Sequence, residues 1–146
     1  MIERCTTPTH AGWLALRSAL WPGHDDDVHL AEMAALCAAP ERYGQFIAYA
    51  TPGTPHGLVE AALRHDYVNG TRTSPVAFLE GLYVAPLSRR RGVARALVAA
   101  AEDWARACGC TEFASDASID NRPSHAMHRA LGFEESERVV YFRKAL

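Results

Sequence analysis

Lysine is nearly missing from this chain: Lys144 is the only one, and arginine carries the rest of the positive charge. With the alanine bias, this marks a GC-rich genome and no particular chemistry. Long apolar runs are absent too, and none approaches the ~20 residues a membrane-spanning helix needs. Met1-Ile2-Glu3-Arg4-Cys5-Thr6 lacks the apolar core of a signal peptide, so the expectation is a cytoplasmic protein with no membrane contact. The four cysteines, Cys5, Cys37, Cys108 and Cys110, are too few and too scattered for a disulfide framework and are read as reduced thiols. Cys108-Gly109-Cys110 has no second Cys or His pair at finger spacing, so no metal is expected. Nor is there an excess of either charge: 15 basic against 17 acidic residues give a net charge of -2. That balance excludes a domain held to nucleic acid by charge and leaves a polycationic small molecule as a possible partner.

What remains describes a globular domain. A chain of 146 residues, 49% hydrophobic and 22% charged, with no repeat, low-complexity tract or linker, reads as one domain over residues 1–146. Its mean hydropathy of -0.13 agrees, and a chain of this length buries a core without staples. Ile2 to Cys5 reads as a short strand, followed by a helix capped at Thr9 that carries Trp13, Leu14, Leu16, Arg17, Leu20 and Trp21. A second helix follows Asp25-Asp26-Asp27, whose acids suit its N-terminal dipole, and stops at Pro40. From Gly44 the pattern turns to strands: Gln45 to Ala50, Gly57 to Tyr67, and Val76 to Val84, a nearly continuous apolar run broken only by Glu80-Gly81. Such a break suggests a bulge or a site. Gly92 to Cys108 has helical periodicity, and Phe113 to Ser115 makes a short strand. A last helix, capped by Asp120 or Asn121, ends at Gly132 before a final strand around Val139 to Phe142.

The segment Leu82-Tyr83-Val84-Ala85-Pro86-Leu87-Ser88-Arg89-Arg90-Arg91-Gly92-Val93-Ala94-Arg95 takes a strand through an arginine- and glycine-containing turn into a long helix. Unpaired N–H groups and the positive end of the helix dipole then meet at one spot, which should bind an anion. Gly92 allows close backbone approach, and Ala94 is small enough not to block a diphosphate.

Arg89-x-x-Gly92-x-Ala94 after a strand resembles the acetyl-coenzyme A (acetyl-CoA) pyrophosphate loop of the GNAT acetyltransferase superfamily. Asp120-Asn121-x-x-Ser124, followed by Ala126-Met127-His128-Arg129-Ala130-Leu131-Gly132-Phe133, resembles its second motif. Further stretches are similar to the aminoglycoside 6'-N-acetyltransferases: Asp66-Tyr67-Val68-Asn69-Gly70-Thr71, Ser74-Pro75-Val76, Phe78-Leu79-Glu80-Gly81, Cys110 to Asp116, and Ser124-His125-Ala126-Met127-His128. The resemblance implies an α+β GNAT fold, a mixed, mostly antiparallel sheet flanked by helices with splayed central strands. It further implies direct acetyl transfer in a ternary complex from acetyl-CoA to the 6'-amine of aminoglycoside antibiotics, conferring resistance.

It also distributes roles. Leu82, Tyr83 and Val84 would pair with the pantetheine arm, Arg89, Arg90, Arg91, Gly92, Val93 and Ala94 would hold the pyrophosphate, and Asn121 would contact coenzyme A. Glu80, Asp116 and Glu137 would contact the aminoglycoside, with Trp21 and Tyr67 against its rings; core packing is the other reading of the two aromatics. His24 with Asp25-Asp26-Asp27 is either an acidic rim or a helix-capping loop. Glu80 and Asp116 are the candidates to take the proton of the substrate ammonium, and both are expected to face one cleft. Where the superfamily usually has a tyrosine to protonate the thiolate, this chain has His128; Tyr141, or no residue at all, could serve instead. Relatives of this kind are dimers, and a homodimer joined through Tyr141-Phe142 is expected. Two rivals are an acetyltransferase of another polyamine or of a protein N-terminus, which the carboxylates disfavour, and a non-catalytic acetyl-CoA-binding module.

Overall fold

The computed structural model describes all residues, Met1–Leu146. Five strands form one sheet in the order β1-β2-β3-β4-β5: β1 Ile2–Arg4, β2 Tyr43–Thr51, β3 Thr54–Arg64, β4 Val76–Val84 and β5 Phe113–Ala114. The first three pairings are antiparallel and β4 with β5 is parallel. The helices are α1 Trp13–Leu20, α2 Asp26–Ala38, α3 Val93–Ala107 and α4 Arg122–Ala130.

Side-chain alternation assigns each face of the sheet to its own helices. Val59, Ala61 and Leu63 of β3 pack with Val93, Leu97, Ala101 and Trp104 of α3. Leu58 of the same strand, with Ile47 and Tyr49 of β2, packs with Trp13, Leu16 and Met33 of α1 and α2. A strand covered on both faces reads as continuous apolar sequence, which is why β3 and β4 do.

Phase is lost once, and it matters. Glu60 pairs with Gly81 and Ala61 with Leu79, so Glu80 is an extra residue in β4, a β-bulge. Leu79 and Leu82 consequently both pack on the α3 cluster although they are three positions apart.

Three expectations are corrected. The first helix begins at Trp13 with Gly12 as its N-cap, not at Thr9; His10 N–H first turns back to the Thr7 carbonyl, and Thr7 and Thr9 hydroxyls bond each other. The hairpin between β2 and β3 is tighter than expected, with β3 starting at Thr54, because Gly53 takes a φ of 79° in the turn. No strand forms over Val139 to Phe142: the chain has no regular element after Phe133, and Val140, Tyr141 and Phe142 stand exposed. Strand-forming residues need an edge to pair with, and no edge of this chain receives them.

Candidate active site

Around the end of β4 the sheet opens. Pairing with β5 covers only Ala77 and Phe78, so β4 runs on to Val84 bonded to β3 alone. Leu82, Tyr83 and Val84 thus have no partner strand on the β5 side. Beyond it, Pro86–Ser88 makes a 3-10 turn, Arg90 adopts a φ of 60°, and Gly92, at φ 81°, starts α3 with no side-chain cap. A positive φ at two positions in three residues turns successive N–H groups toward one side, the geometry of an anion-binding nest. None of the N–H groups from Arg90 to Arg95 donates within the chain, and a Cβ at Gly92 would meet nothing within 4 Å. A cradle of six free donors at a helix N-terminus fits a pyrophosphate.

The arginines divide their work. Arg89 folds back, its Nε donating to the Val84 carbonyl at 2.9 Å, so it braces the loop. Arg90 and Arg91 are exposed. Asn121 is the N-cap of α4, accepting from Ser124 N–H at 3.2 Å.

The residues expected at the acceptor fall into two cavities. Trp21 and Glu80 line one of about 390 Å³, together with Arg17, Glu32 and Glu60. Tyr67, Asp116, His128, Glu137 and Tyr141 line another of about 1080 Å³. The single cleft expected for Glu80 and Asp116 is therefore two, because the bulge sets Glu80 and Gly81 on the Trp21 side of the sheet. Arg64 joins them: it lines the larger cavity, lies 3.6 Å above the Phe78 ring and donates to Glu80 Oε1 at 3.0 Å. His24 lines the smaller cavity, whereas Asp25 caps α2, accepting from Val28 N–H at 3.1 Å.

His128 is held in one tautomer. The Ser124 carbonyl, 2.7 Å from Nδ1, can only accept, so Nδ1 carries the hydrogen and Nε2 accepts from Ser115 Oγ at 2.7 Å. Phe133, packed on Phe113, supports the imidazole edge-on at 5.3 Å. His125 faces the Ser118 carbonyl instead. Burial pushes the thiols of Cys5, Cys37 and Cys110 up from their ordinary values, which leaves those sulfurs poor nucleophiles.

Glu112 also lines the larger cavity. The Thr73 hydroxyl, with the N–H groups of Arg72 and Thr73, holds this carboxyl below its usual range. A lowered folded value stabilises the protein above the unfolded carboxylate pKa, and that contribution is lost as pH falls through the folded value. Glu112→Gln is expected to flatten the acid limb of thermal stability below roughly pH 5. Melting curves of wild type and variant across that range check it; parallel curves would remove Glu112 from the account.

The sequence profile of the Acetyltransferase (GNAT) family matches residues 13–133. The chain belongs to this family. Among its GNAT relatives, an aminoglycoside N(6')-acetyltransferase type 1 of Acinetobacter baumannii is 57% identical over 132 residues, 90% of this chain and 89% of the relative. Another, of Serratia marcescens, is 48% identical over 146 residues, covering 100% and 99%. The GNAT fold is shared with the crystal structure of an aminoglycoside antibiotic 6'-N-acetyltransferase from Acinetobacter baumannii, at 51% identity and a TM-score of 0.93, covering 100% of this chain and 98% of that one. The structure of AAC(6')-Iy in complex with the bisubstrate analogue CoA-S-monomethyl-acetylneamine matches with a TM-score of 0.93 and 48% identity, over 100% of this chain and 98% of that one.

Sequence reasoning passed over Glu60. It breaks the apolar run Leu58-Val59-Glu60-Ala61-Ala62-Leu63 just as Glu80 breaks β4, and that interruption is the signal by which it could have been found.

Proposed function

We propose that this GNAT enzyme transfers the acetyl group of acetyl-CoA directly to the 6'-amine of aminoglycoside antibiotics, and so confers resistance to them. The observation that carries the reading is a single strand, β4, that sets Glu80 at the wall of an acid-lined cavity and then runs on, unpaired on its β5 side, into an anion-binding helix start, in a chain whose near relatives bear this activity in their names. The N–H groups at Arg90 to Ala94 would hold the pyrophosphate, and Leu82 to Val84 the pantetheine arm, with Asn121 alongside. Acetyl-CoA supplies the activated acyl group when bound.

Each remaining demand falls on a residue of this chain. Glu80, Asp116 and Glu137 draw the polycation in, and Trp21 and Tyr67 offer flat apolar faces to its rings. A protonated amine is no nucleophile, so Glu80, two residues before Leu82, takes the proton as the amine attacks, with Asp116 as the second carboxylate at the acceptor. An N–H of Leu82 to Val84 polarises the carbonyl. His128 is the proton source for the departing sulfur only as an imidazolium, because its neutral form spends Nδ1–H on Ser124; Tyr141, which lines the same cavity, is the alternative donor. The raised cysteine thiols support direct transfer over an acyl-enzyme.

The deciding assay is CoA thiol release with kanamycin A against paromomycin, which bears a hydroxyl in place of the 6'-amine. Turnover with kanamycin alone is the expected result; turnover of both moves the acceptor to another amine.

The functional unit we propose is a cytoplasmic homodimer in which the exposed Val139-Val140-Tyr141-Phe142 segment of each chain finds its cover on the other. Free cysteines suit a reducing compartment, and four consecutive apolar residues in the open suit a buried interface. Light scattering at micromolar concentration is expected to give twice the chain mass of 16.0 kDa; a monomer mass refutes the dimer.

A further inference from the structure

In the wall of the smaller cavity lies a chain of polar groups that the acetyl-transfer chemistry does not use. Arg17 of α1 and Glu60 of β3, 3% and 5% exposed, face each other across the helix–sheet interface. Arg17 Nη1 donates to both Glu60 oxygens at 3.0 Å, and Trp13 Nε1 donates to Oε1 at 2.8 Å. Arg17 Nη2 pairs with Glu32 of α2. Arg17 Nε–H donates to His29 Nδ1 at 3.3 Å, which leaves the imidazole hydrogen on Nε2, and Nε2 in turn donates to the Trp21 carbonyl at 3.1 Å.

The chain of donors ends at Trp21 by a second route as well, since the guanidinium lies 4.9 Å from the centre of the Trp21 ring. Trp21 needs such support: it is the first residue past α1, at φ -125° and ψ 74°, where helical geometry no longer dictates its position. Its far edge rests on Gly81, where a Cβ would come within 2.6 Å of the indole. Burying a guanidinium against a carboxylate, here Arg17 against Glu60, gives no clear stability advantage over apolar side chains of the same volume. Fixed orientation is what such a network supplies.

We propose that Glu60, Arg17 and His29 are positioning residues that seat the Trp21 indole over Gly81 beside Glu80, and so set how tightly the acceptor is held. This rests on the acceptor reading above.

The test is steady-state kinetics of the full chain with acetyl-CoA and kanamycin A. Trp21→Ala is expected to raise the kanamycin KM roughly tenfold. Arg17→Lys keeps the charge but loses the fork and the flat face, and should raise the same constant while the acetyl-CoA KM stays within about twofold. The double variant should be no worse than Trp21→Ala alone. Effects that multiply, or a parallel rise in the acetyl-CoA KM, overturn the proposal. If Arg17→Lys fails to fold, His29→Asn keeps an acceptor for Arg17 Nε but is too short to carry a donor to the Trp21 carbonyl; an unchanged kanamycin KM there overturns it equally. A second readout is independent of the acceptor: the Trp21 component of the near-UV circular dichroism, taken as wild type minus Trp21→Ala, should collapse in Arg17→Lys and His29→Asn. A wild type without kanamycin turnover refutes the acceptor reading, whereas a surviving Trp21 signal refutes the positioning role.

Discussion

Glu80→Gln lowers kcat/KM for kanamycin A by about 10²- to 10⁴-fold, the range a positioned general base contributes, and leaves coenzyme A affinity as it was. The substitution keeps the side chain's length and an acceptor oxygen for Arg64, so the bulge in β4 and the Arg64 contact at 3.0 Å persist. What disappears is the negative charge and the ability to take a proton. In the free protein the Arg64 guanidinium stands where a substrate ammonium would pair, and both partners are more than a third exposed, so exchange of one cation for the other costs little. Substrate titrations with CoA release as readout, paired with calorimetric binding of CoA, separate the two constants. Unchanged turnover would move the base to Asp116, the other carboxylate that is a candidate to take the proton.

Trp13→Ala destabilises the fold by about 3–5 kcal/mol, the cost of removing a large buried aromatic. Trp13 is fully buried between α1 and the sheet, packed with Met33, Ile47 and Leu58. Its Nε1–H is also one of the donors that keep Glu60 satisfied. Burial pushes the Glu60 carboxyl up from its ordinary value, against the Arg17 charge and the hydrogen bonds from Trp13 and Arg17, which pull it down. Losing one donor adds to the cost of the cavity. Trp13→Phe isolates that part, filling most of the volume while leaving Oε1 to Arg17 alone, for about 0.5–1.5 kcal/mol. Urea denaturation of the three proteins measures both terms; an alanine variant no less stable than the phenylalanine one would rule out the packing share. In a domain whose whole stability is of the order of 5–15 kcal/mol, the alanine variant will be partly unfolded at working temperatures.

The anion-binding loop was legible because its chemistry is local. A strand, a turn that needs positive φ, and a helix with small residues at its start lie within fourteen consecutive positions, and Gly92 takes the φ that such a turn requires. Helix α3 was legible for a similar reason, since Val93, Leu97, Val98, Ala101, Trp104 and Ala105 repeat at helical spacing and all are buried. The Arg89 side chain was not: its charge pointed to phosphate, whereas its Nε is spent on the Val84 carbonyl of its own loop.

Glu60 and Glu80 mark where local reading ends. Each is a lone carboxylate in an apolar strand, and both strands lie inside the sheet. One is buried under Arg17 and Trp13 and the other stands at a cavity wall beside Arg64. Nothing within a few residues of either distinguishes them, because the difference comes from α1, which meets Glu60 from 43 positions away. The last strand failed for a related reason: Val139 to Phe142 have the side chains of a strand, but pairing needs an edge, and an edge is a property of the assembled sheet.

By itself, then, the sequence determined the order of most elements and the cradle at Gly92, since both follow from periodicity and short-range geometry. Only the tertiary structure decided which carboxylate is buried, that Glu80 is a bulge residue, that the residues expected at the acceptor split between two cavities joined by Arg64, and that Trp21 is held from behind, because each depends on contacts between segments far apart in the chain.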